Sequence, residues 1–110
     1  TMRVKIAILL CILLLIPAFT LANIPEMTVN EILNSSYDDQ IVSVTGVIIK
    51  QVRHDKYIFK DDTGTILIEI DEEDWPQYNT PVYNQKLNII CEVEKDCKIT
   101  KLEAKKVNIL

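Results

Sequence analysis

Glycine is scarce in this chain: of 110 residues only two, Gly46 and Gly64, are glycine. No glycine-rich loop can be built around them, so a phosphate cradle of the P-loop or dinucleotide type is excluded. Histidine is scarcer still, with His54 alone, and none of the three cysteines stands in a CxxC spacing. That argues against a zinc site, which needs several such ligands at fixed spacings, and no metal is expected. It also leaves no nucleophile–base pair of the kind covalent catalysis uses, so the chain reads as a non-enzyme. Positive charge is in the minority, with 12 Lys and Arg against 16 Asp and Glu. A net negative chain opposes non-specific nucleic-acid binding, where Lys and Arg must displace phosphate counterions. Internal repeats, low-complexity tracts and a second domain are lacking too.

The one long apolar run lies near the start, from Ile6 to Phe19. Arg3 and Lys5 precede it and Thr20-Leu21-Ala22 follows it as a small-x-small cleavage site, so residues 1–22 read as a signal peptide. Residues 23–110 form the expected mature domain, periplasmic or secreted, with no stable membrane anchor after cleavage. Removing Arg3 and Lys5 takes the formal charge from −4 to −6. A domain this short buries only roughly 60% of its unfolded surface, so its core is small.

The mature segment reads as one short helix followed by five strands. Thr28-Val29-Asn30-Glu31 fits a capping box, and Val29, Ile32 and Leu33 give the helix an apolar stripe that ends at Asn34-Ser35-Ser36. Residues 40–50 form an unusually long strand with apolar residues of both parities: Val42, Val44 and Ile48 on one, Ile41, Val47 and Ile49 on the other. Gly46 in its middle marks a bulge or sharp bend, as a strand shared by two sheets requires. Residues 51–55 read as a loop. Tyr57-Ile58-Phe59 and residues 65–71 then form a hairpin about Asp61-Asp62-Thr63-Gly64, where Gly64 allows positive φ and Ile66, Ile68 and Ile70 face inward. Asp71 to Asp74 is a solvated acidic turn rather than a calcium loop, which would want a glycine and alternating oxygens. Trp75 plugs one end. Leu87, Ile89, Cys91 and Val93 face inward on the fourth strand, Glu94-Lys95-Asp96 turns, and the fifth strand runs from Cys97 to about Val107. The fold class is all-β with a short N-terminal helix, a five-stranded OB-fold barrel.

The run from Val42 through Gly46, the segments YIFKDDTG and ILIEID, Trp75 and CEVEKD together resemble the exported bacterial OB-fold (BOF) family, of the YgiW/YdeI stress-tolerance type. The most specific part is Phe59 to Asp71 followed by Trp75. The resemblance implies a periplasmic OB fold without catalysis, tied to envelope stress and to a small or charged ligand. Cys91 stands where the family commonly has glycine, Cys97 where it has an aromatic, and Pro76 follows Trp75.

Lys50, Arg53, His54, Lys56 and Tyr57, with Lys60 nearby, gather on the edge that OB folds habitually use for binding. They are the expected ligand site, with Tyr57 or Phe59 offering a ring. Cys91 and Cys97, with five residues between them, are candidates for a disulfide in an oxidising compartment. Asp61 and Asp62 are expected to serve the turn rather than acid–base work. The expected ligand is a small anionic molecule, peptide or cell-wall (glycan) fragment; the competing reading is a single-stranded nucleic-acid domain. No cofactor is implied, and the protein is expected to be a monomer.

Overall fold

The computed structural model describes residues 23–110; the expected signal peptide lies outside them. Helix α1 spans Val29–Ser35. Five strands follow: β1 Ile41–Arg53, β2 Lys56–Asp61, β3 Gly64–Glu69, β4 Leu87–Lys95 and β5 Thr100–Ile109, with a 3-10 turn at Glu72–Asp74 between β3 and β4. They close into a barrel in the order β1-β2-β3-β5-β4, the fold the sequence led to. Every neighbouring pair is antiparallel except β3 with β5, which run parallel through only Ile68↔Leu102 and Glu69↔Glu103.

The first strand divides its pairing. Ile41 to Gly46 pairs with β4, and Val47 to Arg53 pairs with β2. Gly46 is where one partner is exchanged for the other, but it is not a bulge. The register irregularities fall later, between Ile48 and Lys50 and between Gln51 and Arg53. What requires glycine is close approach. A Cβ at Gly46 would run into the backbone carbonyl of Lys60 and come within 2.7 Å of the Phe59 ring.

Alternation places the core as read. Val42, Val44, Ile48, Phe59, Ile68, Leu87, Ile89, Cys91, Val93 and Leu102 are fully buried, and this apolar burial is the main favourable term in folding. The fifth strand changes parity: Leu102 and Ala104 face inward, then Val107, because a register shift opposite Ile90 and Cys91 leaves Lys105 and Lys106 outside. The helix carries the expected capping box, with Thr28 Oγ1 accepting from the Glu31 amide at 3.2 Å and Glu31 Oε1 accepting from the Thr28 amide at 3.1 Å. Val29 and Ile32 are buried, whereas Leu33 is exposed and leaves the apolar stripe.

Three loop assignments change. The expected loop at 51–55 shrinks to a turn at His54 and Asp55, because β1 stays paired with β2, through those irregularities, to Arg53. Gly64 has no positive φ. The Asp61 carboxylate shapes that turn instead, accepting from the Thr63 amide at 2.8 Å and the Gly64 amide at 3.2 Å through Oδ1. The last hairpin turns after Lys95, where Asp96 Oδ1 accepts from the amides of Lys98 and Ile99, so β5 begins at Thr100 rather than Cys97.

That shift removes the disulfide. Cys91 is paired across from Ala104 inside the barrel, while Cys97 lies exposed in the turn, and both are free thiols. At about 3.3 Å of rise per residue, the strand from Cys91 to its end at Lys95 already exceeds the Cα separation a disulfide spans.

Candidate functional site

The expected basic edge is neutralised in part, at Lys56 and His54. Lys56 Nζ lies 3.5 Å from Asp55 Oδ1 and 3.8 Å from Glu69 Oε1. His54, its side chain 78% exposed, sits 3.3 Å from Glu72 Oε1. Tyr57 is not available for stacking: it is 3% exposed, with Trp75 edge-on at 5.2 Å and Tyr83 at 6.4 Å between ring centroids. Burial pushes the Tyr57 hydroxyl pKa upward. Phe59 is fully buried as well. Lys50 and Arg53 are exposed and form no ion pair among the described residues. The sequence grouped these residues by proximity in the chain. Strand alternation and cross-strand acids then separated them.

The acidic turn is more engaged than its composition indicated. Glu72 bridges His54 and Tyr78, whose hydroxyl donates to Oε2 at 2.7 Å. The carboxylate orients the imidazole, but the tyrosine binds the carboxylate rather than the histidine, so the trio is no nucleophile–base relay.

Carboxylates gather beside the short β3–β5 seam. Ligand atoms of Asp55, Glu69 and Asp71 lie within 4.8 Å of one another, as do those of Glu69, Glu94 and Glu103. These are the oxygens that a hard cation would use. Burial and a hydrogen bond donated to Asp55 push the Glu69 carboxyl up, while accepting that hydrogen bond holds Asp55 below its ordinary value. Glu94 is likewise pushed up by its hydrogen bond with Glu103 and by burial, and Glu103 is held low. Lys56 and Lys101 already offset part of this charge, with Lys101 Nζ 3.3 Å from Glu94 Oε2.

A recess lies on the opposite reach of β1, where the strand changes partners. It encloses about 530 Å³, within the ~300–1,000 Å³ typical of small-molecule sites. The outward residues Thr45, Val47 and Ile49 line it together with Gly46. Lys60, Asp61 and Asp62, from the end of β2 and the turn beyond it, also line it, as do Asn84 and Lys86 from the segment entering β4. The loop is anchored there by the Asn84 amide donating to the Ile48 carbonyl at 2.9 Å, with Asn84 at φ 56. Lys60 and Lys86 are exposed and form no ion pair among the described residues. The Asp61 carboxylate is occupied elsewhere. Its Oδ1 serves the turn, and its Oδ2 accepts from the Val29 amide at 2.8 Å, which ties α1 to the hairpin. Asp62 carries no hydrogen bond or ion pair on its carboxylate among the described residues. In the sequence Lys60 stands at the margin of the basic group, and nothing local marks Lys86 and Asn84. The half-buried outer parity of Val47 and Ile49 was the available signal.

Comparison with known proteins places this geometry in context. Residues 17–109 match the description of the bacterial OB fold (BOF) proteins. Protein YgiW of Escherichia coli K12 is 32% identical over 82 residues, which is 74% of this chain and 62% of YgiW, so the chain spans about three-fifths of that relative's length. The calcium-regulated OB-fold protein CarO of Pseudomonas aeruginosa is 46% identical over 39 residues, covering 36% of this chain and 34% of CarO. Among solved structures, the hypothetical protein YgiW of E. coli superposes with a TM-score of 0.70 at 27% identity, covering 82% of this chain and all of that one. The telomere capping protein Ten1 of Saccharomyces pombe reaches 0.61 at 14% identity over 79% of this chain and 81% of its own, a likeness of fold alone.

Proposed function

The chain belongs to the bacterial OB-fold (BOF) family, and on that premise we propose that it is an exported, non-enzymatic binding module that holds a small anionic ligand in the β1 recess. The ligand would come from the small molecules, peptides or glycan fragments of the envelope, and binding would serve envelope stress tolerance. The observation that carries this reading is the recess itself. On a chain of formal charge −4, it brings together two lysines that form no ion pair among the described residues, over a partly apolar floor. Few polar groups over an apolar wall are the usual composition of a small-ligand site. The proposed centre therefore moves from Lys50, Arg53, His54, Lys56 and Tyr57 to Lys60, Lys86 and Asn84. Export rests on the pattern of Arg3, Lys5, the apolar run and Thr20-Leu21-Ala22.

Titrating the protein with glutarate while following backbone amides tests the site. Amides of Thr45, Val47 and Asn84 should shift, and Lys60→Gln with Lys86→Gln should weaken binding by about tenfold or more, as loss of charge-assisted hydrogen bonds does. Binding that the double variant leaves untouched would put the site elsewhere. Tight binding of single-stranded DNA at physiological salt, falling as salt rises, would replace this reading with a nucleic-acid one.

A further inference from the structure

The recess carries both signs of uncommitted charge. Lys60 and Lys86 are its cations. Of its two aspartates, Asp61 has both carboxylate oxygens engaged, on the turn and on α1. Asp62 is exposed, and its carboxylate has no partner among the described residues. The floor between the walls is carbon-rich, with Val47 and Ile49 half-buried. The Asn84 side-chain amide also makes no hydrogen bond among the described residues and can both donate and accept.

A ligand bearing only negative charge would satisfy the lysines but bring like charge toward Asp62. A neutral ligand would leave all three ions unsatisfied. One that carries a carboxylate, an ammonium and a short carbon body between them answers every group present. We propose that the β1 recess takes a short peptide with free termini, its α-carboxylate at Lys60 and Lys86 and its α-ammonium at Asp62. The Asn84 amide then faces the peptide's own amides, and small side chains lie over Val47 and Ile49. This rests on the recess being the binding site and narrows its ligand to one whose carboxylate meets the lysines while a second, positive end meets Asp62.

Four probes separate the two claims: trialanine, N-acetyl-trialanine, trialanine amide and glutarate, each titrated into protein expressed from the full chain. Trialanine should shift the Thr45, Val47 and Asn84 amides. Acetylation and amidation should each weaken binding by about fivefold or more, the scale of one exposed charge pair. In Asp62→Asn the acetylation penalty should disappear while the amidation penalty stays. In Lys86→Gln the amidation penalty should shrink while the acetylation penalty stays. Both positions are exposed, so the variants keep the amide spectrum of the parent outside the recess. If glutarate binds the recess as tightly as trialanine and acetylation costs nothing, the peptide assignment is overturned and the anion site stands. If no probe moves the recess amides, both fall.

Discussion

Asp61 shows how much one side chain can hold. Its carboxylate accepts from Thr63, from Gly64 and, across the chain, from the first turn of α1. Burial works against its ionised form, but the hydrogen bonds from Thr63, Val29 and Gly64 outweigh that and keep its pKa below 3.8. A carboxylate held low stabilises the fold fully above its unfolded value, and that contribution fades as pH falls through the folded value. Asp61→Asn keeps one acceptor oxygen but turns a donor toward the Val29 amide. It should cost about 1–3 kcal/mol at neutral pH and flatten the loss of stability below pH ~4, read from denaturant midpoints across pH. An unchanged acid limb would place the proton uptake on another group. The cysteines differ as sharply. Burial pushes the Cys91 thiol up to about 12, whereas Cys97 is exposed. A thiol reagent should label Cys97 in the native protein and reach Cys91 only on unfolding; immediate labelling of both would mean that the barrel opens near β4.

At the scale of elements, Gly46 decides the course of β1. Its missing Cβ lets the Lys60 backbone and the Phe59 ring close over the strand. Gly46→Ala should therefore lower stability by about 2–3 kcal/mol, an overpacking cost against backbone that cannot step aside. A melting midpoint within a degree of the parent's would mean that β2 shifts freely. Thr28→Ala should cost about 1 kcal/mol by removing the reciprocal cap on α1, seen as a smaller shift of the same midpoint. These elements were legible because their signals are local. The inward parity of β3 and β4, the Thr28–Glu31 box and the handover at Gly46 each follow from residues close in the chain. The candidate site was not, because it is assembled from β1, the end of β2 and the segment before β4. Nothing near Lys86 in sequence points to Lys60. The acids facing the basic edge were hidden for the reverse reason: Asp55, Glu69 and Glu72 reach Lys56 and His54 from neighbouring strands and turns, while Lys50 and Arg53 stay unpaired among the described residues. The disulfide failed because the turn chemistry of Asp96 displaced the hairpin's centre.

At the scale of the molecule, the barrel is closed unevenly. The antiparallel ladder of β4 and β5 runs from Leu87↔Ile109 to Lys95↔Thr100, while β3 meets β5 at two residue pairs flanked by clustered carboxylates. Amide exchange at the seam should be faster than at the centres of β1 and β4, since local opening follows the thinnest pairing; protection at Glu69 and Glu103 equal to that of Val44 and Ile89 would contradict this. The division of β1 has a further meaning in time. Its second half meets β2 across a two-residue turn, so the β1–β2–β3 meander can form from contacts close in sequence. Its first half must wait for β4, because Gly46 pairs with Leu87. One strand thus belongs both to the quickest contacts of the chain and to some of the slowest. The entropy of closing the intervening loop falls on the step that completes the barrel. Refolding would then gain its hairpin early and its recess last, because Lys60 and Lys86 come to line one recess only after that step.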